Sequence, residues 1–142
     1  MLQTDLDPAA EGWDAYSEPG YIELIGPLWR SREGDQLLIG LKLADKHINR
    51  NGVAHGGLLM TLLDHAMAMA SQEKNGNRLQ ATIQFETQLV GKAVRGDFLV
   101  IRPQIMRAAR SLMFMRAVGT VDDRVVVSAS GVWTLFDGEG KR

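Results

Sequence analysis

Asp64 lies in the middle of an otherwise apolar stretch, Gly56 to Ser71 (GGLLMTLLDHAMAMAS), nine residues after the His of a His55-Gly56-Gly57 turn. A carboxylate in apolar surroundings is costly to bury as an anion. It must be held by hydrogen bonds or a cation, or its pKa rises, and either condition prepares a general base or a nucleophile. The plainer alternative is an acid that meets water or a subunit interface and does no chemistry. The Gly56-Gly57 pair favours the chemical reading. At a helix start the free N–H groups point outward with the positive end of the dipole, and glycine admits a close ligand. Such donors suit the oxyanion of an acyl-transfer intermediate, although a tight turn alone also asks for glycine.

The other residue types that could do chemistry are fewer. His55 fits either a base or a structural hydrogen bond at the turn. His65 follows Asp64 by one residue and so points about 100° away around a helix, which disfavours a shared Asp-His dyad. His47, His55 and His65 lack a metal-ligand spacing, and no metal is expected. The chain has no cysteine, which excludes disulfides, thiolate metal sites and cysteine nucleophiles. Ser71, Ser111, Ser128 and Ser130 stand in no Gly-x-Ser-x-Gly setting.

The element that positions Asp64 reads as one helix over Gly56–Ser71, free of proline and rich in Leu, Met and Ala, about 24 Å long at 1.5 Å per residue. Only Thr61, Asp64, His65 and Ser71 interrupt its apolar character, so it is expected to be surrounded by protein. It is too short and too interrupted to cross a bilayer. Met60, Thr61, Met67 and Ala68 share the Asp64 face. Residues 1 to 20 read as an irregular arm with a helical turn near Trp13. Strands are expected at Tyr21–Trp29, Gln36–Leu43, Thr82–Val90, Asp97–Met106, Ser111–Thr120 and Arg124–Phe136. In Thr82–Val90 the alternation puts Ile83, Phe85 and Leu89 on the buried side, and Pro103 implies an edge or a bulge. The order strand, strand, helix, four strands is an α+β pattern in one domain over 21–142. One helix cannot cover both faces of six strands, so the outer face is either exposed or covered by neighbouring subunits.

With 142 residues, a net charge of −1 and sixteen Lys plus Arg against seventeen Asp plus Glu, the chain presents no basic patch for nucleic acid or anionic membrane. No charged start followed by an apolar run marks a secretory signal, and a cytoplasmic location is the expectation.

The spacing Asn49, His55-Gly56-Gly57, Asp64 resembles the hotdog-fold acyl-CoA thioesterases of the PaaI-like branch, with Arg95-Gly96-Asp97 and Arg110-Ser111 as weaker matches, over about Gly20 to Phe136. The resemblance implies an antiparallel sheet of about six strands wrapped around one long central helix. It also implies a homodimer with sites at the subunit interface, commonly a homotetramer. By similarity Asp64 is nucleophile or general base, the N–H of Gly56 or Gly57 polarises the thioester carbonyl, Asn49 positions water or the leaving group, and Thr82 orients water. On strict alternation, however, Thr82 opposes Ile83 and Phe85 and turns away from the pocket. Met60 and its fellow methionines suit an adaptable acyl pocket or plain core filling. Among Arg107, Arg110 and Arg116, Arg110 with Ser111 is the pair expected at the phosphates of coenzyme A. No cofactor is implied, since the coenzyme A thioester is the substrate. The segment Gln88 to Val94 lacks the proline that relatives often carry before the Gly-Asp pair, which bears on acyl specificity. Two rival readings are a non-catalytic acyl-CoA binding module, and a hotdog dehydratase or hydratase, which would need a His and an acid facing one substrate carbon.

Overall fold

A computed structural model describes residues 6–139. Its order is β1 (Asp14–Tyr16), α1 (Tyr21–Ile25), β2 (Leu28–Glu33), β3 (Gln36–Lys42), a 3-10 turn (Asp45–His47), α2 (Gly56–Asn75), β4 (Arg78–Leu89), β5 (Phe98–Ala108), β6 (Leu112–Val121) and β7 (Arg124–Glu139). All ladders are antiparallel and join in one seven-stranded sheet, ordered β1-β2-β3-β5-β6-β7-β4. The long helix packs against β3 to β7. This is the hotdog fold, with one strand more than expected.

The extra strand is β1, inside the segment read as irregular, where Asp14–Tyr16 pairs with Arg30–Leu28. The expected turn near Trp13 lies just before it, closed by Glu11 N–H to Pro8 O at 3.1 Å. The expected strand over Tyr21–Trp29 is wrong in its first half. Ile22 and Ile25 stand three apart, a helical spacing, and form the inward side of α1. Pro27 has no N–H to donate to a ladder, so the strand begins only at Leu28. The long helix runs four residues past its expected end because Gln72-Glu73-Lys74 are good helix formers. It stops at Gly76, whose φ of 77° favours glycine.

Leu58, Leu59, Leu62, Leu63, Ala66, Met67 and Ala70 form the packed side of α2, at helical spacing. They join Ile39, Leu41, Leu99, Ile101, Met113, Met115 and Trp133 in one cluster. Burying each large side chain there stabilises the fold by about 1.5–3 kcal/mol. Gly131 is required beside Trp133, because a Cβ would meet the indole at 2.6 Å. The helix is not enclosed by its own chain: Met60 is 40% exposed, and Thr61, Asp64, His65, Ala68 and Met69 are half-buried. The outer face of the sheet has a third solution besides exposure and neighbouring subunits. Near β3 and β5 the arm folds over it, with Trp13 edge-on to the Phe98 ring at 5.1 Å. Pro103 pairs with Ala117 but lies past the last β3 partner of β5, Ile101, so its missing N–H costs no ladder bond.

Candidate functional site

Each of the four polar residues on the apolar stretch of α2 finds a hydrogen bond. Thr61 Oγ1 donates to Gly57 O at 2.9 Å, and Ser71 Oγ, fully buried, donates to Gln80 Oε1 at 2.7 Å. His65 Nε2 meets Tyr16 Oη at 2.5 Å. The Asp64 carboxylate accepts from Thr82 Oγ1 at 2.9 Å. Thr82 therefore faces the helix, against the parity expected for it. The reason is a β-bulge: Thr82 pairs with Trp133 and Gln84 with Val132, which leaves Ile83 as an extra residue. The bulge lets Thr82 and Phe85 share the inner side although they are three apart. It also overturns the expected burial of Ile83, which is 58% exposed, as is Leu89.

Asp64 itself is half-buried, not sealed in apolar surroundings. Replacing Thr82 with Val removes the donor and keeps the shape, so we expect turnover at this carboxylate to fall by about tenfold with little change in melting temperature. A Thr82→Val protein as active as the parent would remove Thr82 from the site.

At the head of α2, His55 is the N-cap residue, and its Nδ1 accepts from the Gly57 N–H at 2.9 Å. The structural role weighed for His55 is thus observed. It commits the Gly57 N–H, and among the described residues none accepts from the Gly56 N–H. Both glycines sit in close quarters: a Cβ on Gly57 would press the His55 ring at 3.1 Å, and one on Gly56 would press Leu89 at 3.0 Å. Asn49 turns its Oδ1 back on its own loop, accepting from Asn51 N–H at 2.8 Å and Val53 N–H at 3.3 Å. That loop carries the chain into the helix, so this oxygen shapes the approach to the glycines.

His47 is buried beneath the same loop. Its Nδ1 accepts from Ala44 N–H at 2.8 Å, so Nε2 carries the proton toward Ile25 O at 2.6 Å. Burial holds its pKa below the usual histidine value, against the opposing pull of the Ile25 carbonyl. It thereby fixes α1 beside the helix start, where Tyr21, Leu24, Ile25, Ile48 and Leu58 line a cavity of about 300 Å3 that reaches His55 and Gly57.

Two expected site residues lie elsewhere. Arg110 and Ser111 are exposed in the β5–β6 connection, where Arg110 O accepts from Arg78 Nη1 at 3.0 Å and Ser111 O from Leu135 N–H at 2.9 Å. That is the end of α2 away from Gly56. Conversely, two tyrosines that no spacing singled out reach the turns of the helix around Asp64. Tyr21 Oη lies 3.2 Å from Thr61 Oγ1, and Tyr16 approaches His65 from 49 residues away. No local pattern could have disclosed them. Among the described residues no group of His, Cys, Asp or Glu could hold a metal ion, and no helix is long and apolar enough to cross a membrane.

A curled antiparallel sheet against one long helix, with an acid in the third turn of that helix and a glycine pair at its head, is the hotdog arrangement. Residues 51–129 match the sequence model of the thioesterase superfamily. The chain belongs to that superfamily, a family of hydrolases. It is 32% identical over 119 residues to a Pseudomonas aeruginosa protein named as an esterase, covering 80% of this chain and 87% of that one. It is 26% identical over 100 residues to acyl-coenzyme A thioesterase 13 of Mus musculus, covering 70% and 71%. In fold it is similar to a mutant of the phenylacetic acid degradation protein PaaI from Thermus thermophilus, with a TM-score of 0.74, 19% identity and coverage of 82% and 98%.

Proposed function

We propose that the protein hydrolyses a small or medium hydrophobic acyl-CoA, aryl or aliphatic, to the free acid and coenzyme A. The observation that carries this reading is the hydrogen-bonded Asp64–Thr82 pair on a helix whose head offers the uncommitted Gly56 N–H. On this reading the Gly56 N–H, backed by the helix dipole, stabilises the oxyanion that forms when the thioester carbonyl is attacked. Asp64 either takes the proton of the attacking water or attacks the carbonyl itself, expelling the thiolate and leaving a mixed anhydride that water then hydrolyses to free Asp64. Both routes end with the C–S bond broken, a proton delivered to the departing thiolate and the acid released. Water and side chains suffice, and coenzyme A enters only as part of the substrate. The cavity beside His55 and Gly57, with Leu24, Ile25, Ile48 and Leu58 in its wall and Lys46 also lining it, is of a size to take the acyl group. The name of the mouse relative, an acyl-coenzyme A thioesterase, supports this substrate class.

The same geometry supports a homodimer as the working unit. Gly56 and Asp64 are eight residues apart on one helix, about 12 Å along its axis. Reacting atoms must come within about 3–3.5 Å. One chain therefore does not bring its own Gly56 N–H and its own Asp64 to one carbonyl. A twofold-related copy removes the difficulty. The strand beside both groups, β4, is at the sheet edge, with its Ile83 and Leu89 and the following Val90 exposed. It touches Asp64 through Thr82, and Leu89 lies against Gly56. Antiparallel pairing of two such edges would set the Asp64 end of one β4 against the Gly56 end of the other. Exposed Phe114 and Phe136 on β6 and β7 give a further surface on which two dimers would pair into the tetramer.

The deciding experiment is thiol release from phenylacetyl-, hydroxybenzoyl-, short- and long-chain acyl-CoAs. The chain contributes no thiol of its own to such an assay. Turnover of the smaller hydrophobic thioesters is expected. Binding of acyl-CoA without turnover of any of them would overturn hydrolysis in favour of a binding module.

A further inference from the structure

The curled sheet brings both of its edges to the same turn of α2. One edge strand, β4, reaches Asp64 through Thr82 Oγ1 at 2.9 Å. The other, β1, reaches the next residue, His65, through Tyr16 Oη at 2.5 Å. Consecutive helix residues diverge by about 100°, so these two bonds grip the helix from different sides. Rotating the helix in one direction strains one bond, and rotating it in the other strains its counterpart. We propose that Tyr16 and His65 are positioning residues for Asp64: the bond from β1 sets the rotation of the helix, and so the placement of the carboxylate against Thr82 and the substrate. The inference rests on the thioesterase reading for its kinetic consequence and on the structure alone for the coupling of the two contacts.

The contact is built with some care. The Tyr16 hydroxyl donates its one proton to Glu18 Oε2 at 3.0 Å, so its oxygen accepts from His65 Nε2–H. The rings lie nearly parallel, 22° apart with centroids at 5.8 Å, and the Arg30 guanidinium stands over the tyrosine ring at 5.7 Å. Both partners are held neutral. Burial lowers the His65 pKa, against the carboxylates of Glu18 and Asp64. Burial likewise raises that of Tyr16, helped by its bond to Glu18 and by the Glu18 charge, against Arg30. The bond therefore has one direction, from imidazole through phenol to Glu18, and leaves no cation beside Asp64. Small rotations matter here. A carboxylate about 6 Å from the helix axis moves about 1 Å when the helix turns by about 10°, and a displacement of that size can cost up to about a hundredfold in rate.

Three variants test this. Tyr16→Phe keeps the ring and removes the acceptor. His65→Leu removes the donor, and His65→Gln restores an N–H close to the place of Nε2. Expected for Tyr16→Phe and His65→Leu is a kcat lower by about tenfold, with KM held within about twofold, and near-parent kcat in His65→Gln. Alongside, the 13C resonance of the Asp64 carboxyl at fixed pH should move in the first two variants and return in the third. Combining Tyr16→Phe with Thr82→Val should cost less than the product of the single effects, since both act on one carboxylate. An unmoved Asp64 resonance in Tyr16→Phe, or a His65→Gln protein as impaired as His65→Leu, would overturn the proposal. If the parent hydrolyses no thioester, the thioesterase reading falls, and the carboxyl resonance alone then decides whether β1 positions Asp64.

Discussion

Asp64→Asn is expected to lower kcat for acyl-CoA hydrolysis by about 10²- to 10⁴-fold, the range over which a positioned acid–base group contributes. The substitution is nearly isosteric, and the amide oxygen still accepts from Thr82 Oγ1, now at 2.9 Å from the carboxylate. Fold and binding should therefore survive, so that KM and the melting temperature stay close to the parent values while the chemical step is lost. The variant removes a charge from a half-buried position and opens no cavity, which is why stability is not at stake. Steady-state thiol release on the best substrate, with thermal melting in parallel, checks both halves. An Asp64→Asn protein that hydrolysed at the parent rate would show that Asp64 is neither nucleophile nor base.

The second large effect is a recovery. Gly56 occupies the first position of α2, where proline is well accepted, and the preceding His55 has φ −63° and ψ 132°, values a residue before proline readily adopts. Gly56→Pro thus deletes the N–H with little cost to the helix; its ring must only displace the tip of Leu89. Loss of one oxyanion donor should lower kcat by about 10²- to 10³-fold. Asp64→Asn and Gly56→Pro proteins are each nearly inactive alone. When they are unfolded together and refolded at equal concentration, about half of the dimers are mixed. Each mixed dimer carries one site with an intact Asp64 and an intact Gly56, and roughly a quarter of the parent activity should return. If both groups of a site came from one chain, the mixture would be no more active than the sum of its parts. That result would refute the shared site while leaving hydrolysis itself untouched.

The central helix and its acid were legible because their signal is local. An uninterrupted apolar run with His-Gly-Gly at its head and one carboxylate inside can be read without knowing what it packs against. Five of the expected strands, β3 to β7, were legible for the same reason. What escaped was set at a distance. The segment Tyr21–Ile25 has the composition of a strand, and only its place between Gly20 and Pro27, over the core, makes it helical. The bulge at Ile83 is dictated by the two faces that Thr82 and Phe85 must both meet, and strict alternation reads straight through it. Arg110 matched a spacing, and the strand lengths carry it, within one chain, to the end of α2 away from Gly56. Tyr16 has no motif, because what matters is where β1 stops beside His65.

The extra residue at Ile83 also has a meaning for how such a chain can change over time. Elsewhere in β4, from Gln84 to Leu89, the loss of one residue would exchange the inner and outer faces of everything on one side of the cut. At Ile83 the count is already one in excess, so a deletion there restores plain alternation and leaves Thr82 and Phe85 on the sides they now occupy. The strand thus holds one point at which its length is negotiable, directly beside the hydroxyl that meets Asp64. Descendants could reshape the wall of the site through insertion and deletion there, without first having to rebuild the core behind it.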